Sequence, residues 1–272
     1  MKLFVVLALA VASVSAGSFL PEHRILHPRQ LPAIEGRITN GLDAKEGQFP
    51  YQVGLSFNGP NGGWWCGGSL IDNTWVLTAA HCTDGATSAT VYLGATERTK
   101  PEVEYTVDSK KFHQHMGYNN IILRNDISLI EIPSVAYTSR IQKIRLPSMS
   151  SSYSSYAGQK VVASGWGLTS DTAQAVASTL QYAHMDVIEN SECTEAYNSF
   201  VITAKNICTA TPKGTSTCSG DSGGPLVLVK EQLLVGVTSF VSVDGCQSGN
   251  PAGFVRVTSY LDWIKEKTGI AY

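Results

Sequence analysis

The sequence Cys218-Ser219-Gly220-Asp221-Ser222-Gly223-Gly224-Pro225 predicts a tight turn that leads into a short apolar strand over residues 225–229. Glycine adopts backbone conformations that other residues rarely reach, so the three glycines in this stretch favour a turn. Similar short runs, separated by Gly, Asn, Asp and Ser, occur throughout the chain. They cover residues 51–57, 75–78, 90–93, 104–112, 127–132, 160–163 and 233–240. Many short strands with turns between them favour an all-β sandwich or barrel.

One helix is predicted, and it lies at the end of the chain. Ser259 and Asp262 have the spacing of a capping box at a helix start. The residues from Leu261 to Ile264 give a partial apolar face, and Gly269 ends the helix.

The composition is that of an ordinary globular protein. The chain has 272 residues and is 43% hydrophobic, which is enough for a sizeable core. Its charges are nearly balanced, with Lys+Arg 20 against Asp+Glu 22. We therefore expect no nucleic-acid partner and no binding to anionic membranes, because both would require a basic patch.

The N-terminus predicts export. Lys2 precedes an apolar run over residues 3–12, and small residues follow up to Ala16 and Gly17. This pattern is typical of a secretory signal peptide over residues 1–16. The alternative is a membrane anchor, but spanning a bilayer takes roughly 20 apolar residues. We therefore expect a secreted, extracellular protein with no membrane association.

Export changes the interpretation of the cysteines. The chain has six of them, at Cys66, Cys82, Cys193, Cys208, Cys218 and Cys246. In an oxidising compartment an even number predicts three disulfides, and no pair has the CxxC spacing of a zinc site. Six cysteines allow fifteen pairings, so counting alone leaves the connectivity open.

Three segments carry side chains suited to acyl transfer. They are Thr78-Ala79-Ala80-His81-Cys82, Asn125-Asp126-Ile127-Ser128-Leu129 and the opening stretch around Ser222. A serine hydroxyl must lose its proton as it attacks, an imidazole accepts that proton, and a carboxylate fixes the imidazole tautomer. Each residue alone has an ordinary explanation as a packed or surface residue. Together, in an exported protein, they predict a hydrolase in which His81, Asp126 and Ser222 are catalytic.

Residues 38–272 resemble the chymotrypsin/trypsin family of serine proteases over their full length. Besides the three segments above, the matching motifs are Ile38-Thr39-Asn40-Gly41, Trp65-Cys66-Gly67-Gly68-Ser69-Leu70, Ser164-Gly165-Trp166-Gly167 and Ser259-Tyr260-Leu261-Asp262-Trp263-Ile264. Within that family the chain is most similar to the digestive chymotrypsins, elastases and brachyurin-like collagenases of arthropods. The resemblance implies two antiparallel six-stranded Greek-key β-barrels with a C-terminal helix, and an active site in the cleft between the barrels.

The resemblance also implies roles for individual residues. The backbone N–H groups of Gly220 and Ser222 would form the oxyanion hole. The disulfides would join Cys66 to Cys82, Cys193 to Cys208, and Cys218 to Cys246. No metal or other cofactor is implied, because Ala95 stands where calcium-binding relatives carry a glutamate.

Activation by proteolysis is a further implication. Residues 17–37 would be an activation propeptide, and residues 38–272 the protease domain. Cleavage after Arg37 would free the ammonium group of Ile38, which would then pair with Asp221. Such a cut requires an activating protease of trypsin-like specificity.

Ser216, Ser239, Val241 and Ala252 match the positions that bind substrate in the family. Ser216 would lie at the floor of the pocket for the residue before the cleaved bond (P1), where trypsin-like enzymes carry aspartate. A neutral serine cannot compensate a buried cation, so an uncharged P1 residue is expected. Val241 narrows the entrance, which favours elastase-like over chymotrypsin-like cleavage. Asp244, in a loop of altered length, is a further acid expected near the pocket mouth, and the sequence does not decide whether collagen is cleaved.

The sequence also predicts a digestive setting and leaves one alternative function. A short propeptide without added domains fits digestion of protein or peptide substrates, with the gut lumen as the expected site. A monomer is expected by default. That alternative is a catalytically silent homologue that acts as a binding or regulatory module. Such proteins usually lose a catalytic residue or the activation site, and this chain keeps both.

Overall fold

The computed structural model of the protein describes residues 25–26, 38–173 and 177–272. The predicted signal peptide and most of the predicted propeptide, including Arg37, lie outside the described residues. Within the part of the chain that is described, no helix has the length and apolar character needed to cross a membrane.

The described residues form fifteen strands and three α-helices. The strands before residue 150 are β1 (Ile25–Leu26), β2 (Leu42–Asp43), β3 (Gln52–Gly59), β4 (Gly62–Asp72), β5 (Trp75–Thr78), β6 (Ser88–Leu93), β7 (Val103–Asp108), β8 (Phe112–Gln114) and β9 (Ser128–Glu131). The later strands are β10 (Lys160–Gly165), β11 (Gln181–Ile188), β12 (Asn206–Thr209), β13 (Pro225–Leu228), β14 (Leu234–Ser242) and β15 (Ala252–Arg256). The helices are α1 (Ala80–Thr83), α2 (Asn190–Tyr197) and α3 (Leu261–Thr268).

The first barrel is made of β3 to β9. Its antiparallel strands follow the order β7-β6-β3-β4-β5-β9-β8. The two end strands, β7 and β8, are joined by a single 3₁₀ turn over Ser109–Lys111, so the sheet curls until its ends meet. Counted as one bent strand, β7 and β8 bring the barrel to the predicted six. Alternate residues of β6 point inward, as a strand with one buried face requires.

The second barrel is made of β10 to β15. Its strands follow the order β14-β13-β10-β11-β12-β15, and β15 also pairs with β14, which closes the barrel. The two-residue strands β1 and β2 add to β14 and β11 at its margin. The predicted all-β fold of two antiparallel barrels is therefore confirmed.

One apolar cluster crosses from one barrel to the other. Val237 and Val255 of the second barrel pack in the same cluster as Leu129 of the first. Leu261 and Ile264 of α3 belong to it as well, so the C-terminal helix covers the joint. This shared core fixes the relative position of the two barrels, and hence the cleft between them.

The structure corrects the helix predictions, because α1, a single turn over Ala80–Thr83, and α2 were not predicted. Helix α2 begins with a capping box formed by Glu189 and Glu192. Its buried residues are Cys193 and Tyr197, with Ala196 partly buried beside them, which is too short a pattern to stand out in the sequence. At α3 the predicted capping box is wrong: Tyr260 is the N-cap, and no side chain caps the helix. The predicted end at Gly269 is correct.

The structure forms the three disulfides that the family resemblance implies. Cys66–Cys82 ties β4 to α1, and Cys193–Cys208 ties α2 to β12. Cys218–Cys246 joins the turn before β13 to the loop after β14. Each bond lies within one barrel, so none of these three disulfides joins the two barrels.

Candidate active site

Strand pairing brings His81 and Asp126 together. Thr78, at the end of β5, pairs with Ser128, at the start of the antiparallel strand β9. The residues after Thr78 and before Ser128 therefore lie at the same end of the pair. There the Asp126 Oδ2 atom lies 2.8 Å from His81 Nδ1, and Asp126 Oδ1 accepts the His81 backbone N–H at 2.8 Å.

A third donor to Asp126 comes from the second barrel. The Ser239 hydroxyl, on β14, donates to Asp126 Oδ2 at 2.6 Å. Asp126 is fully buried, so these three hydrogen bonds take the place of water around its carboxylate. Because the carboxylate accepts from Nδ1, it holds the His81 ring in the tautomer with hydrogen on Nδ1. Nε2 is then the nitrogen with a lone pair.

Ser222 is held beside the same segment of the first barrel. The Gly67 backbone N–H donates to the Ser222 carbonyl at 2.7 Å. Gly67 follows Cys66, whose disulfide partner Cys82 follows His81. The Ser222 hydroxyl is buried and makes no hydrogen bond within the described part of the chain. The geometry thus gathers the three predicted catalytic residues at the junction of the barrels.

Gly223 allows the second barrel to approach the first so closely. Its φ is +76°, and a Cβ atom there would lie 2.1 Å from Thr78 Oγ1 and 2.6 Å from the Gly67 carbonyl oxygen. Neither neighbour can move away, because the Thr78 hydroxyl itself donates to the Gly67 carbonyl at 2.8 Å. A glycine is therefore required directly after Ser222.

The turn before Ser222 presents two backbone donors. The N–H groups of Asp221 and Gly224 are used inside the turn, by the carbonyls of Cys218 and Asp221. Those of Gly220 and Ser222 have no acceptor among the described residues. Gly220 has a φ of +93°, a value that suits glycine. These are the two N–H groups expected to form the oxyanion hole.

Asp221 is a buried carboxylate with two amide donors. It accepts the backbone N–H of Gly167 at 2.7 Å and that of Cys218 at 2.9 Å. Burial nevertheless raises the pKa of Asp221 to about 8, since the two donors offset only part of the desolvation. Gly165 and Gly167 make room for it: a Cβ atom on either would lie 2.2 Å or less from a carboxylate oxygen.

The residues after the predicted cut site are already seated in the second barrel. Ile38 is fully buried. The Thr39 backbone N–H donates to the Ser216 carbonyl at 2.9 Å, and the Thr39 hydroxyl donates to the Gly214 carbonyl at 2.7 Å. In the uncut chain the segment from Ile38 onward therefore packs against Ser216, the predicted floor of the pocket.

The raised pKa of Asp221 predicts that the uncut chain loses stability as pH rises. In the folded chain the pKa of Asp221 is about 8, against 3.8 in the unfolded chain. Between these values the folded chain holds a proton that the unfolded chain has released, so the free energy of unfolding falls as pH increases from about 4 to about 8. Urea unfolding across this range measures the slope. Asp221→Asn, which removes the titrating group, should flatten the curve. Parallel stability curves for the unmodified chain and the Asp221→Asn variant would contradict the raised pKa of Asp221.

The four predicted substrate-binding residues fall on neighbouring elements. Ser239 and Val241 lie on β14, Ala252 begins β15, and Ser216 is buried with its hydroxyl donating to the Thr217 carbonyl at 2.9 Å. Val241 and Ala252 pack in one apolar cluster with the Cys218–Cys246 disulfide. The walls of this region are therefore apolar, and the side chains of Ser216 and Ser239 are uncharged.

Two acids lie near these residues, and both are hydrogen-bonded. Asp244, considered above as an acid at the pocket mouth, lies in an exposed turn and accepts from Ser242 at 3.3 Å and Asn250 at 3.2 Å. Asp171 accepts the backbone N–H groups of Cys246 at 2.7 Å and Gln247 at 3.1 Å. Both carboxylates thus fix loop geometry.

The described residues contain two clusters of side chains of the types that ligate metal ions. One is His81 with Cys66 and Cys82, and the other is Asp171 with Cys218 and Cys246. In each, both sulfur atoms are used in a disulfide, so they are not thiolate ligands. Neither group therefore offers the donor set that a metal site requires.

Sequence reasoning missed the contact between Ser239 and Asp126. Ser239 was assigned to substrate binding alone, because the two residues are 113 positions apart and no local pattern links them. It also gave no physical reason for Gly165 and Gly167. Their spacing in Ser164-Gly165-Trp166-Gly167 was visible, but only the packing of Asp221 explains it.

Comparison with known proteins gives a consistent result. The sequence profile of the family described as Trypsin matches residues 38–264. The chain is 52% identical to Serine protease 1 of Drosophila melanogaster over 247 residues, 91% of each chain. It is 45% identical to Collagenase of Hypoderma lineatum over 274 residues, 100% of each chain. A solved structure of HL collagenase superposes with a TM-score of 0.81 at 44% identity, covering 86% of this chain and 100% of that one.

Proposed function

Because the chain belongs to the trypsin family and is a serine endopeptidase, we propose that it is secreted as an inactive precursor and cleaves after uncharged residues through Ser222, His81 and Asp126. The observation that carries the proposal is the buried Asp126 carboxylate. It contacts His81 within the first barrel and Ser239 on the second, so it orients the imidazole and ties the two halves of the site together.

In the proposed mechanism Ser222 Oγ attacks the carbonyl carbon of the scissile bond while His81 Nε2 takes its proton. The carbonyl oxygen gains negative charge, which the N–H groups of Gly220 and Ser222 stabilise. Collapse of this intermediate breaks the C–N bond, and His81 gives its proton to the leaving amine. Water then hydrolyses the acyl-enzyme by the same steps, with His81 as base, and releases the Ser222 hydroxyl.

Activation would consist of cutting the bond between Arg37 and Ile38. The new ammonium group on Ile38 would supply a cation for the buried Asp221 carboxylate, which has none beside it among the described residues of the uncut chain. Asp221 neighbours Ser222 and lies next to Gly220, so this ion pair would fix both oxyanion donors. The buried position of Ile38 and the hydrogen bond of Thr39 support this proposal, because this segment would need little rearrangement after the cut.

We expect the activating protease to be a different enzyme. The uncharged Ser216 region gives no counter-charge for Arg37, so the enzyme should cut its own activation site poorly. Purified precursor incubated alone should therefore not develop an Ile38 N-terminus, whereas a trace of trypsin should produce it. N-terminal sequencing measures this. Efficient self-processing that Ser222→Ala abolishes would contradict the prediction.

The P1 preference is tested by kcat/KM of the trypsin-activated enzyme on peptides that differ only at P1, with Ala, Leu, Phe and Arg. We expect Ala or Leu to be preferred, because Val241 lies in the apolar wall and narrows the entrance. Val241→Gly should raise the ratio of Phe to Ala turnover at least about tenfold, since it removes the branched side chain. Val241→Ala should give a Phe-to-Ala ratio between those of the unmodified enzyme and Val241→Gly.

Each outcome of this panel is informative. Phe preferred by the unmodified enzyme would favour chymotrypsin-like specificity and show that Val241 leaves the entrance open. Arg preferred would contradict the uncharged pocket and point to Asp171 or Asp244 as its acid. Active-site titration keeps the comparison independent of any loss of folded protein in the glycine variant.

The proposed setting is extracellular digestion in a gut lumen, by a monomer that acts on dietary protein or peptides. Residues 1–16 would be the signal peptide, 17–37 the propeptide and 38–272 the protease domain. The similarity to Collagenase of Hypoderma lineatum makes collagen a substrate worth including beside the peptides.

A further inference from the structure

A piece of the proposed propeptide pairs with the end of β14. In β1, Ile25 lies opposite Ser242 and Leu26 opposite Val241, in antiparallel register. The pairs that β13 and β15 make with β14 reach no further than Phe240. Strand β1 therefore pairs with two residues of β14 that these two barrel strands do not cover.

This pairing lies next to the candidate catalytic residues. Ser239, which donates to Asp126, is two residues before Val241 on the same strand. Two residues of a strand span about 7 Å. Val241 is also one of the residues assigned to substrate binding. An extended peptide added here would meet the main chain of β14 through ladder hydrogen bonds, which place little demand on side-chain identity.

We propose that the segment containing Ile25 and Leu26 is a built-in ligand of this strand, which occupies the place of a substrate main chain. It blocks the cleft in the precursor and, once Arg37 and Ile38 are separated, competes with substrate until it dissociates. This inference rests on the proposed function, because it takes the end of β14 as the substrate-binding strand.

The chain length allows both attachments at once. Leu26 is held on β14 while Ile38 is buried in the core of the same barrel, twelve residues later. Twelve residues span up to ~40 Å when extended, which is enough to run across one barrel. In the uncut chain the segment is therefore an intramolecular ligand, at an effective concentration in the millimolar range for a short linker.

Cleavage changes the strength of this block. Residues 17–37 contain no cysteine, so no disulfide retains them after the cut. The segment then binds only as a free peptide at the concentration of the enzyme, and dilution releases it. Newly cut enzyme at high concentration should thus stay partly inhibited, and the same enzyme should become fully active on dilution.

The first test uses amide hydrogen exchange in the full precursor, residues 17–272, carrying Ser222→Ala so that no proteolysis occurs. Ile25→Pro/Leu26→Pro removes both N–H groups of β1, including whichever donates to β14. Opposite residues of an antiparallel pair alternate between hydrogen-bonded and non-hydrogen-bonded, so only one of the Val241 and Ser242 amides faces β1. We expect exchange of that amide to become at least about tenfold faster. Phe19→Pro/Leu20→Pro is the matched control, an apolar pair elsewhere in the same segment, and should change nothing. Equal exchange in all three precursors would overturn the inference.

The second test adds the synthetic peptide 17–37 to the activated enzyme. We expect competitive inhibition, at least about tenfold weaker for the Ile25→Pro/Leu26→Pro peptide and unchanged for the Phe19→Pro/Leu20→Pro peptide. Absence of inhibition, or equal loss with both variant peptides, would refute the proposal. The two proposals fail separately. If the amide of β14 that faces β1 exchanges freely while the activated enzyme shows the expected P1 preference, only this inference is refuted. If that amide is protected but the activated enzyme is inert, the assignment of Ser222, His81 and Asp126 as catalytic residues is refuted instead.

Discussion

Ser222→Ala should lower kcat of the activated enzyme by about 10⁶-fold, the loss expected when a catalytic serine is removed from an intact triad. The physical reason is the loss of the only atom proposed to form the acyl bond. Stability should change little, because the Ser222 hydroxyl is buried without a hydrogen-bond partner among the described residues. Removing such a group leaves no other polar atom unsatisfied.

Ser219→Ala is a matched control in the same turn. Its hydroxyl is also buried without a partner in the described part of the chain, three residues before Ser222. This variant should keep nearly full activity and should still be modified at Ser222 by a serine-directed fluorophosphonate. Peptide mapping by mass spectrometry locates the modification. Equal activity losses in the two variants, or modification at another serine, would contradict the role of Ser222.

Asp126→Asn should lower kcat by about 10⁴-fold while the fold stays intact. Three donors point at the carboxylate: the His81 backbone N–H, the His81 ring nitrogen Nδ1 and the Ser239 hydroxyl. An amide has only one oxygen, so its NH₂ group must face one side. The backbone N–H of His81 cannot reverse its role, whereas the ring and the Ser239 hydroxyl can both become acceptors.

The amide is therefore expected to turn its NH₂ group toward the ring. Nδ1 then accepts, hydrogen moves to Nε2, and His81 can no longer take the proton of Ser222. The comparison variant is Ser239→Ala, which removes one donor without changing the tautomer and should cost about tenfold or less. Steady-state kinetics on one peptide measures both. A loss in Asp126→Asn no larger than in Ser239→Ala would show that tautomer control is not the role of Asp126.

Much of the fold was predictable because short apolar strands leave local signals. Strand β5 was predicted with its exact limits, and β13 and β14 to within two residues. Strand β4 was not predicted, because glycines interrupt its pattern. The structure explains them: a Cβ atom on Gly68 would lie 2.7 Å from a Val76 methyl carbon, so a neighbouring side chain fills the space.

In the candidate site, too, short sequence motifs could be predicted, whereas contacts between residues far apart in the sequence could not. His81, Asp126 and Ser222 were recognisable from short motifs, and the structure brings their segments together. The geometry that joins them was not recognisable, since the Ser239 contact depends on how two barrels dock. The enzyme class is confirmed by the family match, whereas the roles of individual residues stay predictions. The pairing of β1 left no signal either, because main-chain hydrogen bonds do not depend on particular side chains.

The order of the disulfides bears on how the chain is made. Each bond joins a cysteine to the next one along the sequence, with separations of 16, 15 and 28 residues. In a chain that enters an oxidising compartment from its N-terminus, each pair is complete before the first cysteine of the next pair arrives. Oxidation in order of arrival therefore yields the native set out of the fifteen that six cysteines allow. Biogenesis of this protein should need little help from a disulfide isomerase.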